Sequence, residues 1–81
     1  MMLEVGYEFK RKNKTYCLLD IIDLDSKKYA LFSIETPYEK LNFEFCEITE
    51  DAANYNFKEV TDTNITNLLF EQLERSNYGG Q

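Results

Sequence analysis

Histidine is absent from all 81 residues of this chain, which removes the commonest general base and the commonest transition-metal ligand together. That absence disfavours most hydrolytic and metal chemistry. Long apolar runs are absent too: the longest fall far short of the ~20 residues a membrane span needs. No charged start followed by an apolar stretch marks a signal peptide, so the expected location is cytoplasmic. Cysteine is too sparse for a disulfide framework. Cys17 and Cys46 both fall in strand-like segments, and they read as buried free thiols.

A chain of this length is expected to form one domain, residues 1–75, with a flexible tail at 76–81. At this size only about 60% of the unfolded surface is buried on folding, which leaves little room for an enclosed active site. Six tyrosines and six phenylalanines supply large buried area per residue and argue for a folded domain despite 30% charged content. The net charge of −6 is uneven: residues 1–28 carry six basic and five acidic groups, and residues 29–81 carry three and ten. Such a field repels nucleic acid and anionic membranes and favours encounter with basic protein surfaces.

Val5, Tyr7 and Phe9 alternate with Gly6 and Glu8, the period-two pattern of a half-buried first strand. The polar run Lys10, Arg11, Lys12, Asn13, Lys14 reads as a hairpin turn. A second strand over residues 15–22 is apolar on both faces, with Cys17, Leu19 and Ile21 on one and Tyr16, Leu18 and Ile22 around Asp20 on the other, which suits a central position. Asp23, Asp25 and Ser26 mark a second hairpin into a strand over 28–34. Thr36, Pro37, Tyr38 breaks the pairing, because proline cannot donate to a ladder. In the next strand Leu41, Phe43 and Phe45 share one phase while Cys46 and Ile48 take the other, which predicts a bulge near Phe45.

A polar turn over residues 49–54 leads to a short fifth strand through Tyr55 and Phe57, closed by Val60. Ile65, Leu68, Leu69 and Leu73 then form one helical stripe, with Asp62 or Thr63 as N-cap and an end near Arg75. A helix of this length is marginal alone in water, so its stripe must dock on the sheet. The expected fold class is α+β: a five-stranded, mainly antiparallel sheet with one C-terminal helix packed on a face. The expected core is Val5, Phe9, Leu19, Ile21, Leu31, Phe43, Phe45, Phe57, Leu68, Leu69 and Leu73.

No constellation carries specific chemistry. Asp23 and Asp25 open like a calcium loop, but Lys27 takes a ligand position and Lys28 the place of the required glycine. Glu47, Glu50 and Asp51 read as solvated loop acids. Neither cysteine has a histidine base or a sequence-adjacent cation to activate it. Lys10, Arg11, Lys12 and Lys14, flanked by Tyr7, Phe9 and Tyr16, resemble a phosphate-contacting patch, but the acidity of the remainder favours a solubilising turn. Gly79, Gly80, Gln81 matches a release-factor tripeptide without its context.

The run Tyr16, Cys17, Leu18, Leu19, Asp20, Ile21, Ile22, then Lys28, Tyr29, Ala30, Leu31, Phe32 and later Phe57, Lys58, Glu59, Val60, resembles the small acidic YrzB-like proteins of Gram-positive bacteria. That family has no assigned activity. The resemblance implies a small cytosolic β-rich domain and carries over no functional residue. The chain departs from that layout at Thr36, Pro37, Tyr38 and in its terminal helix.

Missing catalytic sets, a small core and an acidic surface point to a non-enzymatic protein-binding module, with no cofactor and no metal. Its expected partner is a protein, one with a basic surface fitting best, and neither nucleic acid nor membrane. Glu44, Glu47, Tyr38 and Tyr55 are the expected contacts. One alternative is an acidic inhibitor that imitates nucleic acid, of the anti-restriction or anti-CRISPR type encoded by phage. Another is a homo-oligomeric structural protein that buries a sheet edge or face against its copy.

Overall fold

A computed structural model describes residues 3–38, 41–51 and 54–77. Five strands, β1 (Glu8–Arg11), β2 (Lys14–Leu24), β3 (Lys27–Glu35), β4 (Asn42–Asp51) and β5 (Asn54–Glu59), precede one helix, α1 (Thr63–Asn77). The strands form a single antiparallel sheet in the order β1-β2-β3-β4-β5, so the protein is an α+β domain. The expected tail at 76–81 is shortened by the helix, which passes Arg75 and includes Asn77; residues 78–81 lie outside the described part.

Both early hairpins close with two residues at positive φ: Lys12 and Asn13 at 52° and 65°, Asp25 and Ser26 at 51° and 67°. Positive φ at both central positions is the type I′ arrangement, whose twist matches that of the flanking strands. Ahead of β1 the chain turns rather than extends. Tyr7 N–H donates to Glu4 C=O, and Gly6 holds φ at 97°, a region that favours glycine. Val5 therefore sits on the turn and is exposed, instead of joining the core.

The pairing of β2 with β3 shifts between Leu18 and Asp20, so Leu19 is the extra residue of a bulge. The bulge reverses the phase of everything after it. Tyr16 and Leu18 share a face with Ile21, not with Ile22, and Leu19 is left exposed outside the core where it was expected. The bulge predicted near Phe45 is absent, because β3 and β4 keep continuous register from Lys28↔Ile48 to Ile34↔Asn42. The two phases of β4 instead serve two cores.

The first core lies inside the curl of the sheet. Tyr16, Leu18, Ala30, Phe32, Ile34 and Cys46 are its buried members. The curl brings β1 and β5 close enough that Phe9 and Phe57 stack at 5.4 Å, with Phe32 edge-on to both at 5.5 and 5.0 Å. Edge-on aromatic pairs contribute about 0.5–1.5 kcal/mol beyond their burial. The Arg11 guanidinium lies over the Phe9 and Tyr16 rings at 5.6 and 5.4 Å, so one cation of the basic hairpin is engaged in packing.

The second core lies on the other face, under the helix: Ile22, Tyr29, Phe45 and Leu69 are buried, with Leu24, Leu31, Val60, Ile65 and Leu73 packed around them. Asp62 caps α1, its Oδ1 accepting from Asn64 N–H at 2.8 Å while its carbonyl accepts from Thr66 N–H. Ile65, Leu69 and Leu73 form the docking stripe. Leu68, expected on it, is exposed, and so is Phe43 of β4. Both belong outside the core because the helix covers only part of its sheet face.

Candidate functional site

Strand β5 pairs with β4 only from Cys46↔Glu59 onward, and the chain then leaves with Val60 N–H donating to Phe45 C=O at 2.9 Å. Asn42, Phe43 and Glu44 consequently have β3 on one side and no β5 residue on the other. Backbone groups of alternate residues point to the same side of a strand. Because the Phe45 carbonyl faces Val60, the N–H and C=O of Phe43 face the same, open edge.

A groove of about 410 Å³ lies at this edge, lined by Leu31, Phe43, Phe45, Val60, Thr66 and Phe70 with Glu44 and Glu59. Phe43 and Phe45 pair with Ser33 and Leu31 on the helix-bearing face, whereas Glu44 and Glu59 share register positions with Phe32 and Cys46 on the curled face. A groove lined from both faces of β4 sits at the strand's edge. Phe70 stands one turn beyond Thr66 and meets Phe45 edge-on at 5.1 Å. Even so, Phe70 remains 52% exposed and Phe43 61%. The lining has two carboxylates and, among the described residues, no basic side chain.

Behind the groove, Cys46 Sγ donates to Glu44 Oε2 at 3.3 Å. Burial, then this hydrogen bond and the Glu44 charge, push the thiol pKa up to about 12, so near neutral pH Cys46 is a neutral hydrogen-bond donor. It holds the Glu44 carboxylate in place. Cys17 is also a free thiol, half-buried on the helix-bearing face.

The four expected contact residues fall in three places. Glu44 rims the groove. Glu47 and Tyr55 line a separate depression of about 690 Å³ at the end of the curl, with Leu3, Ile21, Lys27, Lys28, Ile48 and Glu50. Tyr38 stands in the bend after β3, 96% exposed, beside Pro37 and the Lys12 to Lys14 turn. The depression is the larger of the two, but its floor residues Leu3, Ile21 and Ile48 already pack on the inner core, and its rim mixes lysines with carboxylates. It lacks a half-exposed aromatic pair and a charge of one sign. By register, Glu47 and Glu50 point to opposite faces, and no group of three or more Cys, Asp or Glu side chains is placed to hold a metal among the described residues.

The sequence pattern assigned Phe43 to the core and did not single out Phe70, whereas both are exposed at the groove. The available signal was in the helix: Phe70 is apolar yet off the Ile65, Leu68, Leu69, Leu73 stripe, which leaves apolar surface beyond what docking uses. Among the described residues no helix is long and apolar enough to cross a membrane. Comparison with protein-family models, with curated proteins and with solved structures finds no match to this chain.

Proposed function

We propose that this protein is a non-enzymatic module that binds another polypeptide through the groove between α1 and the open edge of β4. The observation that carries the reading is the pair Phe43 and Phe70, two large aromatics, one from β4 and one from α1, left more than half exposed in the lining of one groove. Exposed aromatics that converge on a concave site are the usual anchors of an interface, whereas singly scattered ones need no explanation. Glu44, among the contacts expected from sequence, sits on the rim of this site; Tyr38, Glu47 and Tyr55 do not. A protonated Cys46 and a chain without histidine support a binding rather than a catalytic role.

Capture of partners from a lysate of the source cell tests the reading, with wild type, Phe43→Ser and Phe70→Ser compared at low salt and at roughly 0.5 M salt. Both substitutions act on exposed side chains, so the fold should survive, which the far-ultraviolet spectrum checks. A partner whose recovery falls at least about tenfold in both variants, and persists in part at high salt, is the expected result. A partner indifferent to both phenylalanines but lost in salt would replace this reading with the nucleic-acid-mimic alternative.

A further inference from the structure

We infer that the occupant of the groove is an extended, basic polypeptide segment that adds as a strand to the open edge of β4, an inference resting on the groove being the binding site. Three features converge. The Phe43 N–H and C=O face an edge that β5 has left, and an unpaired edge is a template for strand addition. A strand laid there alternates its side chains between the two faces of the sheet. On one face stand Phe43, Phe45 and Phe70; on the other stand Glu44 and Glu59.

The matching segment therefore has a central apolar residue, seated between Phe43 and Phe70, flanked by Lys or Arg; the flanking cation opposite Glu44 is also the one nearest Glu59, because Glu59 pairs with Cys46 and both carboxylates lie to the same side of Phe43. Period-two alternation turns the two-faced lining into a sequence preference. A second copy of this chain fits poorly, because the contact would bring Glu44 and Glu59 against another molecule of net charge −6. Nucleic acid fits less well still, since the rim carries carboxylates only.

Isotope-labelled protein titrated with three capped peptides, of sequence Thr-Lys-Phe-Lys-Thr, Thr-Glu-Phe-Glu-Thr and the first with its phenylalanine N-methylated, provides the test by amide shifts. The basic peptide should move the amides of Phe43, Glu44, Glu59 and Phe70 and bind at least about fivefold tighter than the acidic one at low salt. The N-methylated peptide, which cannot donate at its centre, should bind several-fold more weakly. In the Glu44→Gln, Glu59→Gln double variant the preference for the basic peptide should fall to near unity. Equal binding of the acidic and basic peptides, or equal binding of the N-methylated one, would overturn the basic-strand inference while leaving the groove as the docking site. Shifts confined to the Tyr55 depression, or concentration-dependent shifts at the groove without peptide, would overturn it in favour of another site or of self-association. If the basic peptide left the groove amides unmoved while lysate capture still depended on Phe43 and Phe70, only this inference would fail.

Discussion

Cys46 couples the inner core to the rim of the groove, because the thiol that fills space beside Ala30 also donates to Glu44 Oε2. Its pKa is raised from 9.0 to about 12, first by burial and then by that hydrogen bond. The sign of the pH effect follows. Below about 9 the thiol is neutral folded or unfolded; between about 9 and 12 only the unfolded chain releases the proton, and stability falls as pH rises. Urea unfolding at pH 8 and at roughly pH 10.5 should show wild type losing about 1–2 kcal/mol more than Cys46→Ala, since tyrosine and lysine titrations are common to both. Parallel losses in the two proteins would mean that the thiol is not held neutral. The sequence suggested two buried thiols in strands, whereas Cys46 is buried and Cys17 half-buried; alternation puts Glu44 and Cys46 on one face of β4 but does not show that the carboxylate turns toward the thiol, so that bond was not legible.

At the scale of elements, alternation and turn chemistry carried most of the information. Five strands, two early hairpins, the Pro37 break and a capped terminal helix were all readable, because each is set within a few residues: Asp62 capping Asn64 is an example. The bulge at Leu19 was not readable. An apolar run such as Tyr16, Cys17, Leu18, Leu19 has no polar residue to report its phase, so a one-residue slip is invisible until β3 fixes the register. The turns retain strain that can be relieved. Ser26 holds φ at 67° without the local tolerance of asparagine, so Ser26→Gly should raise stability by about 0.5–1 kcal/mol, and Asn13→Gly by less, in thermal or urea unfolding. A loss of stability in Ser26→Gly would contradict the type I′ assignment of that hairpin.

At the scale of the whole molecule, the sheet works on both faces: its curled face closes over Phe9, Phe32 and Phe57, and its other face is only partly covered by α1. The sequence suggested one core under a helical lid, because alternation identifies faces but not curvature, and the stacking of Phe9 on Phe57 joins strands that share no register. The groove is not legible in the sequence for the same reason, as it exists only where β5 departs, α1 begins and β4 continues. We propose this junction as the place where the protein meets its partner. The most direct test is photo-crosslinking in the source cell, with a benzoyl-phenylalanine placed at Phe70 in one variant, and at Leu19, also exposed but on the β2 bulge, in another. Adducts of one discrete protein formed from position 70 and not from position 19 are the expected result. Adducts from position 19 alone, or from neither position while a partner still co-purifies, would contradict the account.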